Sequence, residues 1–237
     1  MSTLRPVVLV SLFTLLPWSG AFAEGLAPCE TALSLGPTRL LLQGRTMGQL
    51  GLDRGTLDDD ERLLLRYYVE PFFFIGNDTA GLESAVSVYL PSKGPAKVEL
   101  AEAERSIRGA NSKVARVRGQ QMGDRKVRAE ERFVTVNHRE AELPRELALA
   151  LADRVRRGLE SAPRPPKSDE GATTYTLHVG GDDAGTDDRC GHLRIYPSDF
   201  AERPLGRILA TLRELTEAKG KTADAARKTL TELAGSS

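Results

Sequence analysis

An apolar run close to the start constrains this chain more than any other feature. Val7 to Leu16 is broken only by Ser11 and Thr14, follows one positive charge at Arg5, and gives way to the helix-breaking stretch Pro17-Trp18-Ser19-Gly20. Ala21 and Ala23 place small residues where a signal peptidase reads. The pattern predicts a signal peptide over residues 1–23, with cleavage near Ala23-Glu24. The run is about half the ~20 apolar residues that a bilayer-spanning helix needs. Leu26-Ala27-Pro28-Cys29 has the outline of a lipidation site, but Pro28 precedes the cysteine and the apolar run ends well upstream. No later segment is apolar enough to span a membrane, so the mature chain is expected to have no transmembrane segment. The expectation is an exported domain over residues 24–237, periplasmic in a Gram-negative bacterium or else secreted.

Export sets the redox environment. Cys29 and Cys190 are the two cysteines of the chain, and in an oxidising compartment an even pair is most simply a disulfide. The loop it would close, residues 30–189, is long enough for up to about 5 kcal/mol in the chain-entropy view. Charge narrows the partners. The 33 Lys plus Arg balance 33 Asp plus Glu, and losing Arg5 with the leader leaves a net charge of −1. Such a chain lacks the long-range attraction to phosphate that nucleic-acid binding needs. With 40% hydrophobic residues it is not disordered by composition either.

Hydrophobic spacing predicts the elements. Residues 24–55 suggest a loose arm with a short strand at Leu40-Leu41-Leu42. Thr56, followed by Asp58 to Glu61, predicts a capped helix with Leu64, Leu65 and Tyr68 on one face, stopped at Glu70-Pro71. Phe72 to Ile75 and Ala85 to Leu90 suit buried strands. Residues 97–132 fit helix and strand equally, and Phe133 to Val136 reads as a strand. From Pro144, the spacing of Leu147, Leu151, Val155 and Leu159 predicts a helix over 144–160. A Pro-rich segment, 163–168, follows, and it could separate sub-lobes 24–162 and 169–237. Thr173 to Val179 and Leu193 to Tyr196 predict strands joined across Gly180 to Gly191. Pro204 opens a helix carrying Leu205, Ile208, Leu209, Leu212 and Leu215. Gly220 interrupts it, and Thr222 caps a last helix that ends at Gly235. The fold class expected is α+β, a mixed or antiparallel sheet packed with two to four helices.

Four groups of residues carry possible chemistry. His178, Cys190 and His192, with Asp199 nearby, could supply a thiolate nucleophile and its base. The string Cys190-Gly191-His192-Leu193-Arg194 resembles, in reversed order, the His-Gly-Cys motif of L,D-transpeptidases, exported enzymes that cross-link peptidoglycan. The resemblance covers about 20 residues and departs in the order of the motif, in the spacing of the arginine and in the closeness of His178. It implies Cys190 as nucleophile and His192 as base. Asp182, Asp183, Asp187 and Asp188 crowd a Gly-containing connection that could offer oxygens to calcium, against the plainer reading of a solvated hairpin tip. Otherwise no cofactor is expected. The stretch 105–132 holds nine bases against Asp124, Glu130 and Glu131. It could meet an anionic surface, or be a solvated surface laced with ion pairs. Tyr67, Tyr68, Phe72, Phe73 and Phe74 could line an apolar pocket or fill the core.

Signatures of common enzymes are missing: no GxSxG, no GxxxxGK[ST], no GxGxxG after a strand and no HExxH. The function expected is therefore a non-catalytic binding or accessory protein of the cell envelope, whose partner is an envelope protein or an anionic surface component and not nucleic acid. The alternative is a hydrolase or transferase acting on cell-wall material through Cys190 and His192, or through clustered acids.

Overall fold

The fold is described from a computed structural model, which covers residues 27–28, 46, 48–51, 61–71, 82–107, 110, 134–160, 173–181 and 189–235. Eleven elements follow in chain order. They are β1 (Ala27–Pro28), β2 (Glu61–Glu70), β3 (Ser84–Pro91), β4 (Ala96–Ala103), β5 (Val136–Leu143), α1 (Arg145–Glu160), β6 (Thr173–Val179), β7 (Arg189–Ile195), α2 (Pro197–Ala201), α3 (Pro204–Glu217) and α4 (Lys221–Gly235). Six antiparallel strands form one sheet in the order β7-β6-β2-β3-β4-β5, and the two-residue β1 adds to β7. With the four helices named, the described residues form an α+β fold. Because β6 pairs with β2, strands from before and after the Pro-rich segment lie in the same sheet.

Period-two alternation explains the strands. In β3, Val86, Val88 and Leu90 join the main core, while Ala85, Ser87 and Tyr89 occupy the other face. Gly94 at φ 92° makes the tight connection to β4, a conformation that side chains with a Cβ resist. The helices pack on the face that carries Val86. Ala148, Leu151, Ala152 and Val155 of α1 recur at three and four residues, so they form one buried stripe. In α3 the stripe is Leu205, Ile208, Leu209, Leu212 and Leu215; in α4 it is Ala223, Ala226, Leu230 and Leu233. Pro204 opens α3 at its first turn, and Gly220 at φ 54° separates α3 from α4. The last helix starts at Lys221, one residue ahead of the expected Thr222 cap, because the Asp224 N–H already bonds the Gly220 carbonyl. None of these helices is long and apolar enough to cross a membrane.

Two expectations need correction. The helix drawn from Thr56 through Tyr68 is absent where the chain is described: residues 61–70 are β2, the strand between β3 and β6. A register shift between Leu63 and Leu65 explains the misreading. Such a bulge puts Leu64 and Leu65 together in the main core, and this imitates the close pairing of apolar residues on a helix. The strand expected over 133–136 instead begins at Val136 and runs to Leu143. Its Asn137, His138, Arg139 and Glu140 are exposed, so hydrophobicity does not mark it. Leu40 to Leu42 and Phe72 to Phe74 lie outside the described residues.

A second, smaller core lies on the opposite face of the sheet. It gathers Leu50, Tyr68, Ala85, Ala101, Ala103, Ile107, Ala110 and Val134. Tyr67 and Tyr68 are thus both buried, one on each face, as strand neighbours must be. Glu83, almost fully buried, anchors this layer. Its carboxylate accepts from the Ser106 hydroxyl at 3.1 Å and from the Ile107 N–H at 3.0 Å. The negative charge meets the start of a helical turn, where N–H groups otherwise lack partners.

Candidate functional site

The face opposite the helices carries the polar chemistry of the sheet. Cross-strand register assembles one continuous rung. Cys190 of β7 is paired with His178 of β6, His178 with Arg66 of β2, Arg66 with Ser87 of β3, Ser87 with Glu99 of β4, and Glu99 with Glu140 of β5. The next rung runs His192, Thr176, Tyr68, Ala85, Ala101 and His138. All three histidines of the chain therefore share one face.

Side-chain contacts bind this layer in pairs. Arg66 donates from Nε to the Ser87 hydroxyl at 3.0 Å and from Nη2 to the Tyr89 hydroxyl at 3.2 Å. Glu99, whose side chain is 7% exposed, accepts from Nδ1 of His138 at 2.8 Å, and His138 remains 40% exposed. A carboxylate accepts, so Nδ1 is the donor in this pair. Lys97 and Glu140 meet at 2.7 Å. The hydrogen bond that Lys97 donates to Glu140 lifts its ammonium above the ordinary range, against the burial that would lower it, and the charges of Glu140, Glu99 and Glu61 add to the rise.

A carboxylate holding an imidazole is the orienting half of a nucleophilic site. Among the described residues, however, no hydroxyl or thiol is hydrogen-bonded to His138, and the Ser87 hydroxyl is engaged by Arg66. At the far end of the rung, Cys190 has His178 directly opposite and His192 two residues on, on the same face. The structure thus brings together three of the four residues expected there. Asp199 is not one of them. It is exposed in α2, where it accepts from the Ser198 hydroxyl, next to Phe200 of the helix-side core.

The other groups fare differently. Asp182, Asp183, Asp187 and Asp188 lie outside the described residues, as do Cys29 and most of the basic stretch. Among the described residues no group of three or more His, Cys, Asp or Glu could hold a metal ion, and no cysteine is free. Hydrophobic spacing and motifs do not reveal the pairs Arg66–Ser87, Arg66–Tyr89 and Glu99–His138. The available signal was the alternation of polar with apolar residues along β3 and β4.

A concavity also opens on the helix side. A groove of about 550 Å³ lies between α1 and α4, and its lining includes Leu147, Ala150 and Ala234 together with Glu146, Arg227 and Lys228. That volume falls in the range of small-ligand sites. Compared with family models, curated proteins and solved structures, the chain matches none.

Proposed function

We propose that this is an exported, non-catalytic binding or accessory protein of the cell envelope, acting through a surface or groove toward an envelope protein or an anionic surface component. The observation that carries the reading is the state of the polar sheet face. Five of its charged or titratable side chains make contacts that hold strands together: Arg66 on the Ser87 and Tyr89 hydroxyls, His138 on Glu99, and Lys97 on Glu140. Catalysis needs such groups aimed at a reacting atom instead.

The proposed Cys29–Cys190 disulfide belongs to the same reading. What supports it is that β1 pairs with β7, the strand that carries Cys190, through Ala27 on His192 and Pro28 on Gly191. The crosslink would fasten the short β1 to the sheet and remove the thiol from chemistry.

The second reading is a hydrolase or transferase acting on cell-wall material. It is favoured by the placement of Cys190 opposite His178 and beside His192. One assay separates the two. Native, non-reduced protein treated with iodoacetamide at neutral pH should show no alkylation of Cys190. Rapid alkylation at that position would overturn the binding-protein reading in favour of thiol chemistry.

A further inference from the structure

β5 ends the sheet on the side away from β7, and among the described residues no strand pairs with its outer edge. The pairing with β4 fixes which backbone groups turn outward. The Thr135 carbonyl accepts from the Glu104 N–H at 2.9 Å, and the register from Ala103 opposite Val136 to Ala96 opposite Leu143 continues that ladder. Antiparallel ladders alternate, so positions 137, 139, 141 and 143 bond to β4. Val136, His138, Glu140 and Glu142 present their N–H and C=O groups to the outside. The Glu142 carbonyl accordingly receives a donor from another element, Nη2 of Arg227 at 3.4 Å.

We propose that β5 pairs antiparallel with β5 of a second copy of this chain, joining two sheets edge to edge. Edge strands often carry charge to prevent such pairing. Here the charges change sign along the strand in a way that complements itself. With Arg139 on the two-fold axis, His138 lies opposite Glu140 of the second copy, and Glu140 opposite its His138. In that register outward-facing positions also meet outward-facing positions, so the backbone bonds form. Sliding by two residues in one direction sets Glu140 against Glu140, and in the other His138 against His138. The two Arg139 side chains approach at the axis, but each is already ion-paired with Glu217 of its own chain. Nδ1 of His138 is held by Glu99 and Glu140 by Lys97 of its own chain, so the contact between His138 and Glu140 of the second copy extends pairs already present on each sheet. Self-complementarity of this kind is what a two-fold interface requires.

Sedimentation equilibrium of the exported, oxidised chain tests the proposal. A dimer is expected at micromolar concentrations. Glu140→Pro removes an outward N–H at the centre of the pairing while the Arg139 and Ala141 bonds to β4 remain, and should weaken the dimer by roughly tenfold or more. Glu140→Lys combined with Lys97→Glu keeps the Lys97–Glu140 ion pair within the chain in reversed form while setting a lysine against His138; it should weaken the dimer in the same direction, and it decides the matter if circular dichroism shows the proline variant unfolded. A chain that stays monomeric into the high micromolar range overturns the proposal. So does a dimer that a folded Glu140→Pro variant or the folded double variant leaves unchanged.

Discussion

Replacing Gly206 with alanine sets two effects of known size against each other. Glycine inside a helix is less favourable than alanine by about 1 kcal/mol, so the substitution should stabilise α3 when propensity alone is counted. The packing at this position opposes that gain. A Cβ built on Gly206 would overlap the Phe200 carbonyl oxygen, where α2 turns into α3. Backbone oxygen cannot rotate away as a side chain can, and Phe200 is itself fixed. Its ring stacks on Tyr175 with centroids 3.7 Å apart, and it is 3% exposed. Overpacking of a tight site costs roughly 1–3 kcal/mol, and an overlap with main chain belongs at the upper end. The net is a loss of about 1–2 kcal/mol, or a fall in melting temperature of about 2–8 °C for a chain of this size. Gly235→Ala is the control, since nothing lies within 4 Å of its Cβ position. Thermal melts by circular dichroism read both. A melting temperature for Gly206→Ala equal to or above the parent would refute the reasoning, because propensity would then outweigh the α2–α3 contact.

Other substitutions and conditions probe separate layers. Glu83→Ala leaves the Ile107 N–H and the Ser106 hydroxyl without their buried acceptor, and denaturant unfolding should show a loss of about 1–3 kcal/mol, with Glu83→Gln losing less. Leu177→Ala, at a position with 0% exposure on β6, should cost about 2–5 kcal/mol in the same assay. Burial raises the Tyr175 phenol above the ordinary tyrosine value of 10.0. The folded chain then holds this proton more tightly than the unfolded chain, so stability is full below that value and falls as pH rises above it. Tyr175→Phe should flatten that alkaline decline, and an unchanged slope would assign the decline to other groups. Melts with millimolar calcium and with chelator should coincide if residues 182–188 are only a solvated connection, and a clear upward shift with calcium would show that the loop binds it.

The helical third of the fold was legible because its signals are local. Pro204, Gly220 and the leucines of α3 lie within a few turns of one another, and period 3.6 is unmistakable there. β2 was illegible for a physical reason. Its bulge sets adjacent leucines on one face, and the acids before it look like a helix start. β5 carries too little hydrophobicity for any pattern to reveal it, since its place is secured by pairing with β4. The polar rung was hidden for a different reason. Arg66, Ser87, Glu99 and Glu140 come from four strands and meet through register, which sequence spacing does not encode. Cys190, His178 and His192 could be grouped from sequence because one antiparallel pair of strands brings them together, whereas Asp199, closer to His192 along the chain, is carried away by α2.

Mass spectrometry of non-reduced protein recovered from fractionated cells tests the central claim most directly. The prediction is a chain in the exported fraction that begins near Glu24, with one crosslinked peptide joining Cys29 to Cys190. A full-length 25.8 kDa chain in the cytoplasmic fraction with both thiols alkylated would contradict it, and with it the envelope role.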